Sequence, residues 1–188
     1  MKIFETVCKE NTKPAAEIAV RRAMELQTDI VLSSGTGESA REVLKAAEAL
    51  GFTGKLVVVR SVSSAAANGV NRMAPETMEF LEEKGVRVIS AAHALSAGER
   101  GLSTRFHGVY PLEIMANTLR MLSQGTKVCV EIAVMALDAD AVPYKKPVVC
   151  IGGTGRGLDT AAVITPAYSA NILDTVVHEL LCKPGLYM

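Results

Sequence analysis

DIVLSSGTGESAREVLKAAEALGFTGKLVVVR, residues 29–60, decides the fold. Asp29 to Leu32 opens it as a short apolar run, the mark of a buried strand, which breaks at Ser33-Ser34-Gly35-Thr36-Gly37. Ala40, Val43, Leu44, Ala47 and Leu50 then recur on one helical stripe, and Gly51 is a helix stop. Lys55 to Arg60 is apolar continuously rather than alternately, as in a parallel sheet covered by helices on both faces. Strand, helix and strand in that order call for a crossover connection and a parallel pair.

The alternation continues outward. Upstream, Thr12 suits the N-cap of a helix entered through Pro14, with Ala15, Ile18, Ala19, Ala23 and Leu26 on one face. Downstream, Ser61 to Ala74 reads as a loop, Pro75 opens a helix closed by Gly85, and Val86 to Ser90 is a strand. Ala91 to Gly108 has no clear period and reads as a long loop with some helix; so long a loop without function is unusual. Pro111 opens a helix with two apolar stripes, one through Leu112, Met115, Ala116, Leu119 and Leu122, the other through Ile114 and Met121. Gly125 to Asp140 alternates like a strand at Val128, Val130, Ile132 and Val134, but its unbroken length favours a buried helix. Pro147 to Ile151 and Ala162 to Thr165 are strands, and Leu173, Val176, Val177, Leu180 and Leu181 mark a last helix. The expectation is one α/β domain over residues 1–188, a doubly wound, mostly parallel sheet flanked by helices in three layers.

Composition narrows the function classes. Twenty basic residues balance twenty acidic ones, and no basic run or zinc pattern occurs, so neither nucleic acid nor an anionic membrane is an expected partner. Cys8, Cys129, Cys150 and Cys182 form no C-x-x-C pair and read as free thiols of a reducing compartment, with no metal site. The first residues lack a signal-peptide core, and the longest apolar stretch, Val128 to Leu137, is too short to span a bilayer, which points to the cytoplasm. Hydrophobic residues make up 49% of the chain and mean hydropathy is +0.25. That excess and the doubly apolar helix point to a homo-oligomer.

Two loops carry the chemistry. In the first, Ser33, Ser34, Gly35, Thr36, Gly37, Glu38 and Ser39 offer hydroxyls and small residues ahead of a helix whose first N–H groups are unpaired. That combination favours a phosphate at the helix N-terminus. It also suits a tight turn with ordinary capping. Neither G-x-x-x-x-G-K-[ST] nor G-x-G-x-x-G with a partner acid occurs, which excludes the Walker and dinucleotide fingerprints. The second loop, Gly152-Gly153-Thr154-Gly155-Arg156-Gly157, has more glycine than a structural turn needs, and Arg156 offers a forked cation for phosphate or carboxylate. Asp159 can accept from a hydroxyl or ring N–H, or bind Arg156. Both loops follow strands, where open parallel sheets hold ligands. His93 also follows a strand and is either a ligand contact, an acid/base or a satisfied structural histidine. Glu131, the lone acid in an apolar run, needs a partner such as an arginine.

Residues 29–60 resemble the C-terminal α/β domain of pyruvate kinase, whose corresponding serine- and glycine-rich turn holds a phosphate of an allosteric sugar bisphosphate. YPLEIMANTLRMLSQGTKVCVEIAVMALDAD (110–140) and GGTGRGLDTAAVI (152–164) are similar to the stand-alone pyruvate kinase α/β domain-containing proteins, so the likeness covers most of the chain. It implies bound FMN, and no pyruvate kinase activity, because the catalytic barrel is absent. Where that group has a His- and Gly-containing segment after the second strand, this chain reads SVSSAAANGVNR (61–72). The expectation is an FMN-binding protein, a flavin-dependent oxidoreductase among its readings. Its phosphate would sit on Ser33 to Ser39 and its ring near Gly152, Gly153, Thr154, Gly155 and Arg156, or near His93. The alternatives are a regulatory module for a phosphorylated metabolite and an oligomeric scaffold with tight turns.

Overall fold

The computed structural model describes residues 1–62 and 69–185. Its strands are β1 (Lys2–Phe4), β2 (Ile30–Ser33), β3 (Leu56–Arg60), β4 (Arg87–Ser90), β5 (Val148–Gly152), β6 (Thr160–Thr165) and β7 (Val176–Pro184). Its α-helices are α1 (Thr12–Leu26), α2 (Glu38–Leu50), α3 (Pro75–Glu83), α4 (Ala97–Phe106), α5 (Pro111–Arg120) and α6 (Gln124–Asp138). The strands form one sheet in the order β1-β7-β6-β5-β2-β3-β4. β2 runs parallel to β3, from Ile30↔Leu56 to Ser33↔Val59, and parallel to β5 on its other side. β4 is parallel to β3 and β1 to β7, whereas β6 is antiparallel to both of its neighbours. The sheet is therefore mostly parallel, as its continuous apolar strands required.

The pleat sends alternate side chains to opposite layers. Ile30, Leu32, Val58, Val149 and Ile151 join α1 and α2 in one core; Val31, Val57, Val59, Val148 and Cys150 join α6 and Ala116 of α5 in the other. Fully buried alanines at 15, 16, 19 and 23 let α1 lie close to its neighbours. α6 settles the ambiguous stretch. Ser123 Oγ caps it by accepting from Thr126 N at 2.9 Å, and from Gly125 to Leu137 all but the half-buried Val128 are buried. A helix apolar all round belongs inside. No helix among the described residues is long and apolar enough to cross a membrane.

Several expectations need correction. The last helix is a strand. β7 carries two surplus residues against β6, because Ala161 pairs with Cys182 but Ala162 with Leu180, and Val163 pairs with Glu179 but Ile164 with Val177. These bulges break the period of two and leave apolar residues spaced as a helix would space them. His178, expected on a helix, is exposed on this strand and meets Thr165 Oγ1 at 2.8 Å. Lys2–Phe4, unassigned by sequence, is an edge strand. α4 occupies ten residues of the expected long loop. Thr12 does not cap α1, whose N-cap is Asn11; its Oγ1 instead accepts from Leu158 N at 3.0 Å, 146 residues away. Residues 63–68 of the expected 61–74 loop lie outside the described residues.

Candidate functional site

β2 ends at Ser33, and α2 begins at Glu38 after four intervening residues. The turn between them is held by Ser34. Its N–H donates to Val59 O of the adjacent strand at 3.1 Å, and its buried Oγ accepts from Gly37 N at 3.1 Å and Ala40 N at 3.3 Å. The helical ladder starts with Arg41 N on Gly37 O. Glu38 and Ser39 therefore present backbone N–H groups that precede any intrahelical acceptor.

The two glycines of this turn have different reasons. Gly37 is buried at φ 92°, and a Cβ there would run into the Thr77 methyl of α3. It serves packing. Among the described residues a Cβ on Gly35 would meet only Ser61 Oγ, at 3.9 Å. Ser61 Oγ is itself buried without a hydrogen-bond partner among the described residues.

Above the turn lies a cleft of about 520 Å³. Of the residues expected to form a site, Ser33, Ser34, Gly35, Thr36, Glu38, Ser39, His93, Gly153 and Gly155 line it, whereas Gly37, Gly152, Thr154 and Arg156 do not. Arg156 is exposed on its loop. The cations of the cleft are Lys9, Arg60 and Arg72. Lys9 pairs with Glu38 at 2.8 Å, an exposed contact of little energetic weight, and Arg60 Nε donates to Ser90 Oγ at 2.6 Å. Arg60 was legible as the last residue of the strand beside β2. Val128, Ile132 and Met135 of α6 form an apolar wall at helical spacing.

The second glycine-rich loop closes on itself. A Cβ on Gly152 would press on Gly125 O of α6 at 2.6 Å, and one on Gly153 would strike Gly157 O. Asp159, fully buried, pairs with a hydroxyl rather than Arg156: its carboxylate accepts from Thr160 Oγ1 at 2.7 Å and from Thr154 N at 3.1 Å. Three of the loop's glycines line the cleft as backbone.

Glu131 finds its partners in a lysine and a histidine rather than an arginine. Its Oε2 accepts from Lys127 Nζ at 2.5 Å and meets His93 Nδ1 at 3.1 Å, while Oε1 accepts from Leu95 N at 3.1 Å. Burial pushes the Glu131 carboxyl upward, but the His93 hydrogen bond and the Lys127 charge outweigh it and hold the group below the usual carboxylate range. Burial pushes the Lys127 ammonium down, with Glu131 offsetting part of the effect. Lys127 lies one helical turn before Glu131, a spacing visible in sequence once 125–140 is read as helix. No protein-family model matches the sequence.

Proposed function

We propose that the cleft binds a phosphate-bearing small ligand, FMN, with the phosphate on the turn between β2 and α2. The observation that carries this is the pair of unspent N–H groups at Glu38 and Ser39, beside the Ser33, Thr36 and Ser39 hydroxyls and the open face of Gly35. A phosphate fits these donors and the helix dipole behind them. The orphaned Ser61 hydroxyl, aimed at the space a Gly35 Cβ would fill, supplies a further donor. Arg60 and Arg72, with Lys9 paired to Glu38, replace Arg156 as the cations within reach of the cleft. The volume suits a small-molecule ligand. Val128, Ile132 and Met135 offer the flat flavin ring an apolar wall, beside which His93 meets Glu131 of the same helix. When bound, a flavin supplies reversible one- and two-electron transfer.

The second reading is a regulatory module for a phosphorylated metabolite. It is favoured by the cleft's lack of an aromatic side chain among the described lining residues. The visible spectrum of the freshly purified protein separates the two, and titration with FMN and riboflavin tests the phosphate. Flavin absorbance with strong preference for FMN is expected; a colourless protein that binds neither removes the FMN reading.

A further inference from the structure

The cleft holds a chain of groups that phosphate binding does not use. Lys127 and Glu131 have side chains only 5% and 2% exposed, yet the third member, His93, is 45% exposed and lines the cleft. A buried lysine and glutamate can satisfy each other. They need no histidine at the surface. Glu131 Oε1 is occupied by Leu95 N–H, and Oε2 by Lys127, so the carboxylate cannot rotate away from the ring. A carboxylate only accepts, so the atom of His93 facing it must carry the proton.

We propose that His93 is the proton-accepting group of the cleft, its Nε2 lone pair turned toward the bound ligand because Glu131, anchored by Lys127 and Leu95 N–H, takes up Nδ1–H. This rests on the reading that the cleft holds a phosphate-bearing ligand, and it adds a requirement: the ligand's other end bears an acidic N–H or O–H. In the step, that bond breaks, Nε2–H forms, and the ligand keeps the electron pair. The charge gained by the ring is shared with Glu131 through Nδ1–H. Glu131 acts through His93 and is a positioning residue.

The test uses the full chain labelled with ¹⁵N. At alkaline pH, long-range ¹H–¹⁵N spectra are expected to show the neutral His93 ring in the Nδ1–H form. In Lys127→Met/Glu131→Gln, which removes both buried charges together, the new amide keeps its oxygen on Leu95 N–H and turns its NH₂ toward Nδ1. The ring then switches to the Nε2–H form. Diethyl pyrocarbonate, which attacks an unprotonated imidazole nitrogen, reads the same change: carbethoxylation of His93 slows about tenfold, the ratio one charge-assisted hydrogen bond supports. His107 and His178 keep their rates and serve as controls. A wild-type His93 in the Nε2–H form overturns the proposal even if the double variant does not fold, and so do equal His93 rates in a folded variant. FMN is the probe for occupancy and should protect His93. If flavin fluorescence shows no FMN binding while His93 keeps its tautomer and reactivity, the ligand reading falls and the assignment of the ring stands.

Discussion

Gly35→Val would place a branched side chain where the structure leaves room for a ligand. Among the described residues its Cβ meets only Ser61 Oγ, at 3.9 Å, and Gly35 does not occupy the left-handed region, so the fold should change by less than about 1 kcal/mol. The ligand loses much more. Two N–H groups, of Glu38 and Ser39, are poised for the phosphate, and each charge-assisted hydrogen bond contributes about 1.5–3 kcal/mol. Together they support about 3–6 kcal/mol, or a preference for FMN over riboflavin of about 10²–10⁴. Fluorescence titration of both flavins, with urea unfolding as the control on folding, should show that preference in the wild type and its collapse in Gly35→Val. Gly37→Ala should do the reverse in the unfolding assay, because φ 92° and the Thr77 methyl oppose any Cβ there, costing about 1–3 kcal/mol of stability. A folded Gly35→Val protein that still prefers FMN by the wild-type factor would refute the placement of the phosphate.

Ser34→Ala strips the acceptor from two buried N–H groups and should cost about 1–2 kcal/mol in urea unfolding. Glu131→Leu leaves Lys127 buried and unpaired and should cost about 3–5 kcal/mol, whereas adding Lys127→Met should restore most of the loss. Because the Glu131 carboxyl is held below its ordinary value, its contribution is full above an unfolded value of about 4.3 and disappears as pH falls through the folded value. Acid titration of stability should therefore be steeper in the wild type than in the double variant. Cys129 and Cys150 are fully buried with thiols pushed far up, and burial raises Cys182 to about 12, so iodoacetamide should label the half-buried Cys8 first and these three only on unfolding. Ile114 and Met121 of the second apolar stripe stand 57% and 84% exposed; self-association through them should give light-scattering masses above the 19.9 kDa chain.

The central β2–α2–β3 unit was legible because its strands and helix obey one period each. So was α6, where unbroken length outweighed alternation. β7 was not legible, since its two bulges reproduce a helical spacing and only the pairing with β6 reveals them. The loops were legible as segments beside a cleft but not in what each of their residues packs against. A glycine open toward a cleft and one that admits a neighbouring methyl look alike in sequence, and among the described residues Gly35 and Gly37 are told apart only by Ser61 and Thr77. Thr12 likewise bonds to Leu158, a partner no local rule supplies. Arg156 drew attention by its glycine setting, whereas Arg60 reaches the cleft from the end of β3 and Arg72 from the connection before α3.

Lys9, Glu38 and Gln124 all reach the cleft, and they stand beside the starts of α1, α2 and α6. Of these helices, α2 begins at the opening itself, and the free N–H groups of its first turn are equivalent to about half a positive charge. A chain with no net charge can in this way direct a local field at a single mouth. Such a field draws anions along their approach before any contact is made, and dissolved salt weakens it. Anionic ligands should accordingly enter faster than neutral ones of the same shape, with an advantage that shrinks as ionic strength rises.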